Sequence, residues 1–413
     1  MSPRPTRRRR PSPALLAALA AVLVALLAVP PAPAATGGAG SVEGPVQEGP
    51  PVGDTPFDRH GMWIWYVSRS ERGNLGAIVS RARRVGIGTV YVKAADGADL
   101  WRQFSRRLIR RLHRAGINVC AWQFVYGRRP VAEAKAAARA VKRGADCFVI
   151  DAEADYEGRY AAADRYVRAL RGRIGDGYPV SLAGFPYVDY HPSFPYSVFL
   201  GPGGADFNQP QMYWKTIGTS VRRVFEHTYL HNRIYGAPIY PIGQTYEAPG
   251  NRSLRLFRRY AASHGGLAVS WWDWQETGGR EWGALRAAVG ERPLARYRVE
   301  VEHPVLKRGD RGDMVVWAQQ HLVAAGEALP VTGVFAKRTR AAVLRFQRDH
   351  GLPATGTIGT ETWEALISYE PVRARWAATR GRPGARPRPA TRPLSASLPA
   401  RAYEIGPRPW AGP

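Results

Sequence analysis

Short runs of β-branched and aromatic residues alternate with longer amphipathic stretches between residues 61 and 289. Alternation of this kind is typical of parallel βαβ units. The apolar runs predict eight strands, at Met62–Tyr66, Thr89–Lys93, Asn118–Phe124, Cys147–Asp151, Val180–Gly184, Phe207–Tyr213, Ile239–Gln244 and Ala268–Trp272. The stretches with apolar residues at helical spacing predict helices at Leu75–Val85, Gln103–Ala115, Val131–Arg143, Tyr160–Ile174, Ser220–Asn232, Asn251–His264 and Glu281–Val289.

Eight strand-and-helix units of this length predict a TIM barrel, the (β/α)8 form of the α/β class, in which the parallel strands close on themselves. The connection after the fifth strand is irregular, because prolines and glycines interrupt it. A doubly wound open sheet is the alternative fold, but no Gly-rich phosphate loop follows any of the strands. In a TIM barrel the active site lies at the C-terminal ends of the strands.

Asp151-Ala152-Glu153 follows the fourth apolar run and is the strongest candidate for catalysis. Side chains alternate along a strand, so Cys147, Val149, Asp151 and Glu153 are expected on one face. Burial and mutual repulsion raise the pKa of one of two neighbouring carboxyl groups, which suits a general acid beside an ionised partner. We therefore predict that Glu153 and Asp151 are the catalytic residues.

Other polar and aromatic residues at the predicted strand ends are candidates for binding a sugar. Aromatic faces pack against the C–H surfaces of a pyranose ring, while carboxylates and amides form hydrogen bonds with its hydroxyl groups. The predicted substrate-binding residues are Lys93, Asp96, Trp122, Gln211, Tyr213, Trp214, Trp271 and Asp273. No Cys/His spacing predicts a metal site, and no cofactor is expected.

Three short motifs of the predicted barrel resemble those of a known enzyme family. They are Val90–Gly97 at the second strand, the Asp151-x-Glu153 pair, and Trp271–Gln275 at the eighth strand. The motifs resemble those of the family 25 glycoside hydrolases, the secreted muramidases. The resemblance implies an enzyme that cleaves the peptidoglycan glycan. The family 18 chitinases are an alternative resemblance, since their fourth strand also ends in acids and their sixth-strand tyrosine matches Tyr213.

The first strand departs from the muramidase pattern, because Gly61–Val67 contains no acidic residue where that family carries one. Two functions therefore stay open. In a peptidoglycan hydrolase, Glu153 would protonate the leaving glycosidic oxygen. Asp151 would stabilise the developing positive charge or orient the N-acetyl group of the sugar, and Asp273 or Asp96 is an alternative second carboxylate. The other function is a non-catalytic barrel that binds wall glycan or a wall polymer.

Leu306–Ser368 carries a more specific pattern. Apolar residues at helical spacing, including Val315, Leu322 and Phe346, predict a small helical core, and glycines mark its turns. The pattern closely resembles the three-helix peptidoglycan-binding module found beside many wall hydrolases, although the family's D-G-x-F-G turn is T-G-V-F-A here. The resemblance implies an all-α domain that binds peptidoglycan glycan strands and keeps the barrel near its substrate.

The two ends of the chain differ in composition from the rest. Arginines precede an apolar run and a small-residue Ala32-Pro33-Ala34 site, which predicts a cleaved signal peptide and a secreted, wall-associated protein. The predicted organisation is a signal peptide at 1–34, a linker at 35–56, the barrel at 57–292, a second linker at 293–303, the peptidoglycan-binding domain at 304–369 and a disordered basic tail at 370–413.

The formal net charge is +26. A charge of this size attracts polyanions, so anionic wall polymers are a candidate partner of the basic tail, although an arginine-rich composition explains the charge equally well. The basic runs carry no nucleic-acid-binding signature, so no nucleic acid is expected, and the chain is expected to be a monomer. Cys120 and Cys147 can be bonded in an oxidising compartment, but small buried thiols are the favoured interpretation.

Overall fold

The computed structural model describes residues 55–266, 268–286, 294 and 301–376. The predicted signal peptide, nearly all of the first linker, most of the segment 287–300 and the tail beyond residue 376 lie outside the described residues. Within the described ranges, no helix has both the length and the hydropathy needed to cross a bilayer.

The barrel is built from strands and helices that alternate along the chain. Its strands are β1 (Gly61–Ile64), β2 (Thr89–Asp96), β3 (Asp99–Leu100), β4 (Asn118–Val125), β5 (Cys147–Ala152), β6 (Val180–Gly184), β7 (Phe207–Pro210), β8 (Ile242–Gln244) and β9 (Ser270–Trp272). Its helices are α1 (Leu75–Val85), α2 (Arg106–His113), α3 (Pro130–Val141), α4 (Tyr160–Ile174), α5 (Tyr196–Phe199), α6 (Trp214–Ile217), α7 (Val221–Asn232), α8 (Asn251–Ser263) and α9 (Gly279–Leu285). The fifth connection holds a 3-10 helix at Val188–Tyr190 and the short α5, so it is irregular, as its composition indicated.

Eight of the strands are parallel neighbours in the order β7-β6-β5-β4-β2-β1-β9-β8. Two parallel bridges, from Asn208 to Ile239 and from Gln211 to Ile242, join the two outer strands of this order and close the sheet. The prediction of a TIM barrel is therefore confirmed. The extra strand β3 was not predicted; it pairs antiparallel with the end of β2 and lies outside the ring of eight.

Apolar side chains form two layers, one inside the barrel and one between the strands and the helices. Along β5, Cys147 and Val149 lie inside, whereas Phe148 and Ile150 face the helices, as strand alternation predicted. Large aromatic rings fill much of the interior, among them Trp63, Tyr91, Trp122 and Trp272. The interior is a packed core, so a substrate has access only at the mouth of the barrel.

The two cysteines are joined by a disulfide bond. Cys120 of β4 lies directly opposite Cys147 of β5, and their Cα atoms are 4.5 Å apart. The favoured interpretation of two free thiols was therefore wrong, because the register of the two strands brings both side chains together inside the barrel. Closing a loop between residues 27 positions apart stabilises a fold by about 3–4 kcal/mol in the chain-entropy account.

The C-terminal module consists of α10 (Asp313–Ala324), α11 (Lys337–Asp349) and α12 (Thr360–Leu366). Two buried glutamines hold its turns. The carboxamide oxygen of Gln319 accepts hydrogen bonds from the backbone N–H groups of Thr332 and Gly333, at 2.8 and 2.9 Å. The carboxamide oxygen of Gln347 accepts one from the N–H of Gly356 at 2.9 Å. Gly333 and Gly356 have φ of 71° and 70°, a region that favours glycine.

The module packs against the barrel through a buried carboxylate, Asp313, at the start of α10. Its side chain accepts hydrogen bonds from Ser197 N–H at 2.9 Å, Ser197 Oγ at 2.6 Å and the Tyr235 hydroxyl at 2.8 Å. Its backbone N–H donates to the carbonyl of Pro192 at 2.7 Å. Three groups of the barrel thus satisfy one carboxylate of the module.

The same contact region includes an indole and a glycine of the module. Trp317 Nε1 donates to the carbonyl of Ile234 at 3.0 Å. Gly312 has φ of 118°, and a Cβ atom there would clash with the carbonyl of Pro192. We call this region the docking interface; its residues are Gly312, Asp313 and Trp317 of the module and Pro192, Ser197, Ile234 and Tyr235 of the barrel.

The chain returns to the barrel after α12. Arg373 bonds the carboxylate of Asp164 on α4 at 3.3 Å. The ring of Trp376 stacks on that of Tyr160, with centroids 4.8 Å apart. The first residues of the segment assigned to the disordered tail, 370–376, therefore pack against the barrel, and the rest of that segment lies outside the described residues.

Candidate active site

Asp151 and Glu153 converge at the C-terminal end of β5. Glu153 follows the strand with extended backbone angles, φ −133° and ψ −152°, so the alternation of side chains continues through it. Both residues are buried, with 6% and 7% of their surface exposed. The amide nitrogen of Gln211 donates to Asp151 Oδ1 at 3.1 Å and to Glu153 Oε1 at 3.0 Å. The two accepting oxygens are therefore at most about 6.1 Å apart.

Burial raises the pKa of both carboxyl groups. The pKa of Glu153 rises from 4.5 to about 6, mainly by desolvation, and the hydrogen bond from Gln211 opposes this rise. The pKa of Asp151 is raised well above its usual value, first by burial and then by the charge of Glu153, while Lys93 acts in the opposite direction. The pair therefore retains a proton at mildly acidic pH, which a general acid requires.

A small cavity of about 10 Å³ lies in front of the pair. Its lining combines the two acids and the amide with aromatic and apolar side chains: Trp63, Asp151, Glu153, Ala183, Gln211, Tyr213, Ile242 and Trp272. Ligand pockets in proteins usually measure about 300–1,000 Å³. The cavity is far smaller than such pockets and has room for about one water molecule, so a larger molecule would have to lie across the rim of the barrel.

A row of aromatic rings leads from this cavity along the rim. The ring of Trp65 lies 6.0 Å from Trp272, that of Tyr66 lies 5.4 Å from Trp65, and that of Trp101 lies 5.4 Å from Tyr66. Trp65, Tyr66 and Trp101 are half-buried, so each exposes part of its ring. We call Trp65, Tyr66, Trp101 and Trp272 the rim aromatics; together they form an aromatic surface beside the cavity.

Lys93 lies beneath the rim aromatics and does not reach the cavity. Its Nζ is 2.6 Å from the carboxylate of Asp96 and about 5 Å from the rings of Trp65, Trp101 and Trp122 (5.0, 4.8 and 4.9 Å). The ammonium is almost fully buried, with 3% exposure, and its ion pair and cation–π contacts stabilise it there. Lys93, Asp96 and Trp122 do not line the cavity, and their part in substrate binding stays a prediction.

Asp273 is a second buried acid at the strand ends, separate from the pair. Its Oδ1 accepts a hydrogen bond from the backbone N–H of Glu276 at 3.2 Å, and its Oδ2 is buried without a hydrogen-bond partner among the described residues. Burial raises its pKa well above the usual value, so this carboxyl group stays protonated beyond the normal range. Asp273 does not line the cavity.

Two predicted substrate-binding tryptophans lie elsewhere. The rings of Trp214 and Trp271 both pack against Phe257 of α8, each at a centroid distance of 5.2 Å. They belong to the layer between the strands and the helices. On β9 it is Trp272, not Trp271, that points to the cavity. Of the ten predicted site residues, the structure brings together Asp151, Glu153, Gln211 and Tyr213 around one cavity.

The end of β1 carries no acid, as the sequence indicated. Trp65 and Tyr66 occupy this position, and the next carboxylate along the chain, Glu71, pairs with Arg81. Sequence reasoning did not include any of the four rim aromatics. Two sequence features could have indicated Trp65, Tyr66 and Trp272. Aromatic residues are dense at the ends of the first and eighth predicted strands, and side chains alternate between the two faces of β9.

The helical module matches a known family. Residues 311–366 match the PG_binding_1 family model, a peptidoglycan binding domain. A peptidoglycan-binding protein from Clostridioides difficile in complex with glutamine hydroxamate is 36% identical over 15% of this chain, with a TM-score of 0.15. A Burkholderia AP3 phage endolysin is 41% identical over 16% of this chain, with a TM-score of 0.16. The chain covers 40% and 25%, respectively, of these two proteins.

For the barrel, a class V chitinase from Pseudomonas fluorescens is similar over 55% of this chain and 99% of its own length, with 10% identity and a TM-score of 0.43. The barrel assignment itself rests on the strand order and the closing bridges. The protein thus joins a TIM barrel to a C-terminal domain that matches a peptidoglycan binding family.

Proposed function

We propose that the protein is a secreted, muramidase-like glycoside hydrolase that cleaves glycosidic bonds of peptidoglycan. The observation that carries this proposal is the buried pair of acids held by one amide at the mouth of the barrel. The rim aromatics beside the pair supply a surface for sugar rings, and the peptidoglycan-binding domain supplies the wall target.

In this mechanism Glu153 donates its proton to the glycosidic oxygen as the bond between that oxygen and the anomeric carbon breaks. Inverting glycosidases hold their two carboxyl groups about 6.5–9.5 Å apart to admit a water molecule. The oxygens that share Gln211 are at most about 6.1 Å apart, which favours a retaining pathway. Asp151 would orient the substrate's N-acetyl group, whose oxygen attacks the anomeric carbon. Water then opens this intermediate, with Glu153 accepting its proton.

The first prediction follows from this separation. Incubation of purified protein with isolated cell walls should release new reducing ends, and the first product should keep the anomeric configuration of the substrate. Proton NMR of the product, recorded before mutarotation, distinguishes the two anomers. A first product of inverted configuration would contradict the retaining pathway, and walls that release no reducing ends would contradict the hydrolase itself.

The second prediction concerns the rim. Tyr66→Ala removes a half-buried ring that touches neither acid, so KM for glycan oligomers should rise about 2- to 10-fold with kcat nearly unchanged. This range corresponds to an aromatic contact of about 0.5–1.5 kcal/mol. Steady-state kinetics on a chain-length series provides the measurement. Tyr190→Ala is a suitable control, since Tyr190 is exposed and outside both cavity and rim. A fall in kcat with unchanged KM would contradict a binding role.

Export to the wall and binding of anionic wall polymers complete the proposal. The predicted signal peptide and the arginine-rich C-terminal segment support them, and both lie outside the described residues except for positions 370–376. The positive charge favours such polymers because it lowers the free energy of a nearby polyanion.

A second candidate function is a barrel that binds wall glycan without cleaving it. Two observations favour it: β1 ends without an acid, and the cavity in front of the pair is small. The two candidates are separated by the wall digestion described above. A non-catalytic barrel would bind the walls in a pelleting assay and release no reducing ends.

A further inference from the structure

A cluster of potential metal ligands lies on α7 and the segment after β6, and none of its residues lines the cavity at Asp151 and Glu153. His227 and His231 are one helical turn apart on α7, so their imidazoles lie on the same face of the helix. Asp189 faces them from the segment after β6. Its Oδ1 is 2.8 Å from His227 Nε2, and its Oδ2 is 3.8 Å from His231 Nε2. One ligand atom of each residue lies within 4.8 Å of the other two.

A single hydrogen bond between Asp189 and one histidine does not account for this arrangement. One imidazole satisfies one carboxylate oxygen, yet a second imidazole is held beside the other oxygen at a distance too long for a hydrogen bond. The two imidazole rings are 4.4 Å apart between centroids. Two imidazoles and a carboxylate on one spot are a donor set that suits divalent transition metals, and Zn²⁺ in particular.

We propose that Asp189, His227 and His231 bind one Zn²⁺ ion. Rotamer adjustments of a few tenths of an ångström to about 1 Å bring three ligand atoms to Zn–N and Zn–O distances of about 2.0–2.2 Å. Water is the candidate fourth ligand, because the group among the described residues consists of these three side chains. The ion joins α7 to the segment after β6.

This segment also leads to Pro192 and Ser197 of the docking interface. The ion would therefore stabilise the barrel surface on which the peptidoglycan-binding module sits. The sequence alone did not predict the site, because Asp189 is 38 positions from His227 along the chain. The part of the site that the sequence does show is the His-x-x-x-His spacing of His227 and His231 on a predicted helix.

The test uses the full chain with any affinity tag removed. Isothermal titration with ZnCl₂ should give one site per chain, and His231→Gln should lower its affinity at least about tenfold. His113→Gln is the matched control, because His113 and Asp146 form a surface pair at 2.8 Å without a second imidazole. Zn²⁺ should raise the melting temperature of the wild type and of His113→Gln, and raise it much less for His231→Gln.

Asp189→Asn is a second variant that keeps the size of the side chain and weakens the charge at the site. Its Zn²⁺ affinity should also fall, while circular dichroism of both variants stays that of the wild type. Co²⁺ should give visible d–d absorption with the wild type that both variants lose. Equal Zn²⁺ affinity of the wild type and His231→Gln, or no Zn²⁺ binding by the wild type, would overturn the proposal.

Discussion

Glu153→Gln is expected to slow cleavage of wall glycan by about 10²- to 10⁴-fold, the usual contribution of general acid catalysis. Glutamine keeps the shape of the side chain and can still bond Gln211, but it has no proton to transfer to the leaving oxygen. Binding of glycan should therefore survive. The measurements are the rate of reducing-end release and the fraction of protein that pellets with walls.

Glu157→Gln is the matched control for this variant. Glu157 lies four positions further along the chain, bonds His191 and Ser193, and does not line the cavity. Its rate should match that of the wild type. A wild type that cleaves glycan, together with a Glu153→Gln variant of equal rate, would remove Glu153 from the mechanism. The next candidate for the acid would then be Asp273.

The pH profile of cleavage should fall on its alkaline side at the pKa of Glu153, which burial raises to about 6. The protonated form is the active one, so activity is lost as the pH rises through this value. The same shift affects stability. Because the pKa of the folded state exceeds the usual 4.5, the stabilisation that protonation of Glu153 provides is complete below about pH 4.5 and is lost above about pH 6.

The second large effect concerns Asp313. Burial raises the pKa of this carboxyl group from 3.8 to about 7, against the opposing hydrogen bonds from Ser197 and Tyr235. The folded state therefore favours the protonated acid, so its stabilisation is present below about pH 4 and is lost as the pH rises through about 7. A shift of this size corresponds to up to about 4 kcal/mol in the free energy of unfolding, at about 1.4 kcal/mol per pKa unit.

Asp313→Asn should remove this pH dependence while keeping the docking interface. The carboxamide oxygen can accept from Ser197 N–H and Tyr235, and its NH₂ can donate to Ser197 Oγ. Urea unfolding between pH 4 and pH 8 measures the effect, and the difference between variant and wild type isolates Asp313 from the other buried acids. Asp310→Asn, at an exposed turn of the same module, is the control. Parallel curves for Asp313→Asn and wild type would contradict the prediction.

The sequence predicted the order of strands and helices well, because hydrophobic periodicity and local composition depend only on residues that are close together in the chain. Strand alternation also placed Asp151 and Glu153 on the inner face of β5. It failed on β9, where Trp271 was chosen and Trp272 lines the cavity. A barrel strand is buried on both faces, so its residues are apolar at nearly every position and the pattern does not tell inside from outside.

Contacts between residues that are far apart in the sequence could not be predicted, for a different reason. The disulfide depends on the register between β4 and β5, and a shift of one residue would turn one thiol to the other face. Lys93 was predicted as a substrate ligand because it ends the predicted second strand, whereas β2 continues to Asp96. Its ion pair with Asp96 and its enclosure by three indoles follow from loop positions that no local pattern specifies.

The docking interface also bears on how a wall would be cut. A binding module on a flexible linker only keeps an enzyme close to its polymer, and leaves every direction of approach open. Here Asp313, Trp317 and the return of Arg373 to α4 fix the module to the barrel. A glycan strand bound by the module would then lie at a fixed distance and angle from the two acids of the barrel. Early digests should contain fragments of a narrow length range, measured outward from each anchoring point.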